Sequence, residues 1–80
     1  MFSPADLRTT AEDLTEKILF LETKLDLTDT EEEELDGLRD RSSDFLGHYS
    51  EKIVVYNELP EYCDALVSIQ VLINLTGFEY

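Results

Sequence analysis

The sequence predicts an all-α fold, a small three-helix bundle built from a helical hairpin and a third, more apolar helix. Three observations carry that expectation. Leu7, Ala11, Leu14, Ile18, Leu21 and Leu25 recur at alternating steps of four and three, a heptad seam that a strand cannot produce. A looser seam follows through Leu35, Leu38, Ser42, Phe45, Tyr49, Ile53 and Tyr56. A third segment, residues 58–76, is apolar on more than one face.

The first helix is expected over residues 4–26. Ser3 is its N-cap, Pro4 suits the first helical position, and Asp6 completes a capping-box-like pattern. Residues 27–30 form the break. There, Thr28 with Glu31 or Thr30 with Glu33 makes a capping box for the second helix. Gly37 and Gly47 each weaken that helix by about 1 kcal/mol relative to alanine, and Gly47 with His48 marks the place for a kink. The β-branched run at residues 53–55 also fits a short extended piece, on β-propensity alone.

Asn57 is the next candidate cap, and Pro60 is tolerated in a first turn. Gly77 has the position of a C′ residue closing the third helix. A helix as apolar as 58–76 is normally buried on several sides. Cys63 is therefore read as core. The surplus apolar surface calls for a homodimer through this helix or for a bound partner.

Eighty residues make a single acidic helical domain, 1–80. A chain of this size buries only about 60% of its unfolded surface, so its stability is marginal. One cysteine excludes an internal disulfide, and a reduced, cytoplasmic setting is expected. Met1 precedes Phe2, Ser3 and Pro4 with no basic n-region, so no signal peptide is expected. The most apolar stretch, 65–75, falls short of the ~20 residues of a membrane span.

Charge is the outlier, with nineteen acids against six bases and a net charge of −13. Hydrophobic residues still make up 42% of the chain, too many for a disordered acidic tail. Such a molecule repels nucleic acid and anionic membranes and attracts a basic protein surface. The middle of the chain, residues 26–56, holds ten acids against three bases, and residues 57–80 hold four acids and no base. Acids in a first helical turn complement the helix dipole, which accounts for part of the run Glu31, Glu32, Glu33 and Glu34. It does not account for Asp36, Asp40 and Asp44, which follow at i, i+4 and i+8. Like charges at that spacing destabilise a helix. With Asp26 and Asp29 they predict an acidic ridge roughly 25 Å long at 1.5 Å per residue.

Carboxylates about 5–6 Å apart on a rigid helix resemble the spacing of phosphates along a nucleic-acid strand. The expected partner is therefore a basic, nucleic-acid-binding protein, held by Asp29, Glu31 to Glu34, Asp36, Asp40, Asp44, Glu51, Glu58 and Glu61. Among the aromatics, which include Phe78 and Tyr80, the residues Tyr49, Tyr56 and Tyr62 are candidate contacts, ringed by Glu51, Glu58 and Glu61. They serve equally as half-buried core. No basic patch suggests direct nucleic-acid binding. His48 and Cys63 cannot make a zinc site by themselves, and no motif orients a nucleophile–base pair. No cofactor is expected, and no enzyme activity.

Glu31-x-x-Glu34, followed by Glu61-x-x-Asp64, is similar to the EXXE…EXXD magnesium motif of the all-α nucleoside triphosphate pyrophosphohydrolases. That resemblance implies Mg²⁺ held by acids on neighbouring helices, as a hard cation with oxygen ligands. In size and charge the chain also resembles the DNA-mimic and anti-defence inhibitors of phages and mobile elements. That resemblance of class implies an inhibitor that covers a partner's DNA-binding surface. The remaining alternatives are an immunity- or antitoxin-type inhibitor of a basic nuclease and a plain helical dimerisation or adaptor module.

Overall fold

The computed structural model describes residues 2–78 and is all-α, without strands among those residues. Tyr80 lies outside them. Helices α1 (Pro4–Glu22), α2 (Asp29–Glu51) and α4 (Cys63–Thr76) form the expected bundle, and a six-residue helix α3 (Ile53–Glu58) and a 3₁₀ turn (Pro60–Tyr62) make the corner between α2 and α4. The bundle is elongated, 42 × 19 × 18 Å.

Each helix starts for a local reason. At α1, the Ser3 hydroxyl accepts from the Asp6 N–H at 3.2 Å, with Pro4 in the first turn. At α2, Thr28 and Glu31 form a reciprocal capping box: the Thr28 hydroxyl accepts from the Glu31 N–H, and the Glu31 carboxylate accepts from the Thr28 N–H, both at 3.2 Å. Of the two boxes the sequence offered, this is the one used. Two orphan donors are thereby satisfied at once. Gly77 closes α4 with φ 70°, a left-handed conformation open to glycine at no steric cost.

The heptad seam of α1 is the backbone of the core. Leu7, Ala11, Leu14, Ile18 and Leu21 are buried, facing Leu38, Phe45, Leu46 and Tyr49 of α2 and Ala65, Ile69, Leu72 and Ile73 of α4. The packing of α1 on α4 is the most extensive, and α1 on α2 comes next. Ser42 takes a seam position with its hydroxyl donating to the Leu38 carbonyl at 2.8 Å, so its burial leaves no polar group unpaired.

Three local expectations are corrected, and one open alternative is decided. The first helix stops at Glu22 rather than 26, and Leu25, though in register with the seam, is fully exposed in the turn. The second helix continues unbroken through Gly47. It breaks at Lys52 (φ −118°, ψ 16°), where the Lys52 N–H bonds to the Tyr49 carbonyl instead of continuing the ladder. A glycine makes a helix cheaper to unfold but does not interrupt its hydrogen bonds, whereas a broken i→i−4 ladder does redirect the chain. Residues 53–55 are helical, as the seam through Ile53 and Tyr56 implied, and the extended alternative is not taken. Asn57 lies inside α3 rather than capping the last helix. Leu59, extended before Pro60, makes the stop, and α4 starts only at Cys63.

Candidate partner-binding surface

α2 positions most of the acids. Wound at 3.6 residues per turn, Asp29, Glu32, Glu33, Asp36, Asp40, Asp44 and Glu51 fall in one sector about 120° wide. That sector lies opposite Leu38, Ser42, Phe45 and Tyr49, the buried side of the helix. All seven carboxylates are exposed. From Asp29 to Glu51 the stripe rises roughly 33 Å, longer than the ridge expected from the sequence. Asp26 drops out of it because it lies in the turn before α2.

Four of the six cations are engaged elsewhere. Arg8 pairs with Glu12 at 3.7 Å and Lys17 with Asp13 at 3.1 Å, while Lys24 pairs with Glu31 and Arg39 with Glu22. None of these four acids belongs to the stripe. Arg41 and Lys52 form no ion pair among the described residues, and neither does any stripe carboxylate. Arg39 sits at the edge of the sector but is drawn across to α1, so it leaves Asp36 and Asp40 uncompensated. Exposed ion pairs contribute little stability, so these act mainly by determining where positive charge is absent.

Two members of the acidic quartet belong to other surfaces. Glu31 is half-buried and committed to structure. Its hydrogen bond from Lys24, and next the one from the Thr28 N–H, hold its carboxyl below the usual range. Glu34 turns toward α1, where it lines a shallow groove of ≈ 360 Å³ with Asp13, Glu16, Lys17 and Phe20. Glu58 and Glu61 are exposed on α3 and the 3₁₀ turn, at the end of the bundle where α2 stops.

Of the two readings open for the tyrosines, contact surface and core, the structure has core. Tyr49, Tyr56 and Tyr62 are 5%, 1% and 3% exposed. Tyr49 stacks on Tyr56 at 5.7 Å, and Tyr56 tilts against Tyr62 at 4.8 Å. Phe2 completes the cluster. Its N–H donates to the Tyr56 hydroxyl at 3.2 Å, the Tyr62 hydroxyl donates to its carbonyl at 2.6 Å, and its ring meets Phe45 edge-on at 5.4 Å. Burial first, then Tyr56 and Glu61, pushes the Tyr62 phenol above its ordinary value. Phe2 gave no periodic signal in the sequence, because its partners lie 43 to 60 positions away.

The acids of the magnesium-motif resemblance do not converge. Glu31 and Glu34 sit beside the second half of α1, next to Lys24 and Phe20. Glu61 adjoins Tyr62, which is bonded to residue 2 at the start of α1. Glu31 therefore lies toward the Lys24 end of the bundle and Glu61 toward the residue-2 end. Among the described residues no group of three or more His, Cys, Asp or Glu side chains is placed to hold a metal ion. Cys63, expected in the core, is an exposed free thiol at the first position of α4. His48 is exposed and lines a cleft of ≈ 270 Å³ with Phe2, Glu51, Lys52 and Tyr56. No helix of the described residues is long and apolar enough to cross a membrane.

Compared with protein-family models, with curated proteins and with solved structures, the chain finds a match in none of the three.

Proposed function

We propose that this chain is a non-enzymatic inhibitor that lays the outer face of α2 on the basic, nucleic-acid-binding surface of a partner protein in the cytoplasm. The observation that supports the reading is the α2 stripe: seven exposed carboxylates along one continuous helix, with no cation paired to them among the described residues. An acidic surface that only kept the molecule soluble would need neither alignment nor segregation from the bases. Here four of the six bases pair with acids off the stripe. The row of charges offers lysines and arginines what a phosphate strand offers, with attraction that weakens as salt rises. A nuclease or DNA-binding regulator covered in this way is closed to DNA. The inhibitor class that the chain resembles in size and charge acts by the same principle.

Neutralising Glu32, Glu33, Asp36 and Asp40 together to Gln or Asn tests it. The wild-type chain should retain a basic protein from lysate at low salt, release it by roughly 0.5 M salt, where screening acts within a few ångströms, and lose it to added duplex DNA. The neutral variant should retain nothing while keeping its helical circular dichroism. Undiminished capture by that variant would refute the reading.

A further inference from the structure

A second surface lies between α1 and α4. Its walls are Glu12, Thr15, Glu16 and Leu19 on one side and Ser68 and Val71 on the other, with no residue of α2 among them. The groove holds ≈ 290 Å³ and its exposed lining is almost wholly apolar. Leu19 and Val71 remain 43% and 48% exposed, and Val67, one turn earlier on α4, is 64% exposed. The Thr15 hydroxyl is buried there with no hydrogen-bond partner among the described residues. α1 and α4 run in the same direction, since residue 2 meets Tyr62 and Glu12 meets Ser68. Two helices side by side leave the kind of furrow into which the ridge of another helix packs.

Charge decides between occupants. Glu12 and Glu16 are exposed beside the groove on α1, and Asp64 is exposed on α4 one turn before Ser68. The neighbouring cation, Arg8, is already paired with Glu12, and residues 57–80 contain no base. A second copy would bring the same carboxylates against these three and join two chains of net charge −13. Like charges facing each other across an interface suppress such a pairing. A partner with positive flanks meets no such penalty. A strand finds no sheet edge here, because both walls are helices with internally bonded backbones, so the occupant is helical.

We propose that this groove binds an amphipathic helix of a partner protein, with apolar residues entering between Leu19 and Val71 and flanking lysines or arginines meeting Glu12, Glu16 and Asp64. The span from Glu12 to Leu19 is two turns, about 10 Å, which suits anchors at i, i+3 or i+4, and i+7. The surface is separate from the α2 stripe, and the proposal stands whether or not the stripe covers a DNA-binding surface.

A displayed library of helical peptides, randomised at anchor and flanking positions and panned on the whole chain, tests it. The expected binders combine the apolar i, i+3/i+4, i+7 pattern with Lys or Arg flanks. They should bind at least tenfold more weakly to the Leu19→Asp, Val71→Asp double variant, and equally well to the variant neutralised at Glu32, Glu33, Asp36 and Asp40. If the aspartates unfold the chain, Leu19→Ser with Val71→Thr serves in their place. Four outcomes overturn the proposal. The first is a library that yields no binder; the second is enrichment of neutral or acidic flanks as often as basic ones; the third is binding that depends on the α2 acids instead of the groove. The fourth is sedimentation of the chain as a dimer that the Leu19/Val71 substitutions dissociate, which would assign the groove to a second copy.

Discussion

Thr28 and Tyr62 show what single side chains contribute. The Thr28 hydroxyl and the Glu31 carboxylate start α2 reciprocally. Thr28→Ala should cost about 1 kcal/mol and lower Tm by about 4–8 °C in a domain of this size, as a thermal melt would show. Glu31 adds a pH dependence of definite sign. Its carboxyl is held below the ordinary range by Lys24 and the Thr28 N–H, so its contribution is present above that range and lost as pH falls through the lowered value. Tyr62 has the opposite sign. Its phenol is held above the ordinary value by burial, so the native state keeps the proton longer than the unfolded chain does. That contribution is complete below about pH 10 and lost as pH rises through the raised value. Tyr62→Phe removes the bond to the Phe2 carbonyl and should lower Tm at neutral pH. The gap to wild type should narrow in melts above about pH 10.

At the scale of the element, α2 serves two faces with different demands. Its inner face follows the seam read from the sequence and adds Leu46, which is fully buried although it stands outside that seam. The outer face carries like charges at i,i+4, which weaken the helix by a few tenths of a kcal/mol per pair. Gly37 and Gly47 weaken it further. Neither has a positive φ, and a Cβ at either would meet nothing within 4 Å. Gly37→Ala and Gly47→Ala should each stabilise by about 0.5–1 kcal/mol, measured by urea unfolding. Gly47 lies within the acidic sector, so a methyl group there adds no charge and should leave the proposed partner binding by α2 unchanged. A loss of binding in Gly47→Ala would indicate a partner seated close against the backbone rather than on the carboxylates.

For the whole molecule, −13 in 80 residues means that the folded state works against its own charge. Salt screens this repulsion over about 10 Å at 0.1 M and less at higher concentration. Raising NaCl from about 20 to 500 mM should therefore raise Tm, by about 4–8 °C for each kcal/mol of repulsion removed, while the proposed partner complex dissociates over the same range. Opposite responses of stability and binding to one variable separate loss of attraction from loss of fold. The distribution of charge matters as much as its amount, because the ion pairs lie on α1, on the α1–α2 turn and between α1 and α2, leaving the far side of α2 uniformly negative.

The sequence by itself determined the fold class, the α1 seam, the Ser3 cap, a capping box at Thr28 or Thr30, the Gly77 stop, and the alignment of Asp36, Asp40 and Asp44. Each of these is governed by helical periodicity or by neighbours a few residues away, so local order suffices to read it. Tertiary structure alone decided that Tyr49, Tyr56 and Tyr62 are core around Phe2, that Cys63 and Leu25 are exposed, and that the chain turns at Lys52. It also decided that Arg39 serves Glu22 and not the stripe, that Glu34 belongs to the α1 side, and that Glu31 and Glu61 stand at opposite ends. These outcomes depend on which distant helix occupies each face, and periodicity carries no information about that. The acidic run that dominates the sequence therefore divides in the fold: Glu31 starts and braces a helix, Glu34 faces α1, and Glu32 and Glu33 join the stripe that extends to Glu51.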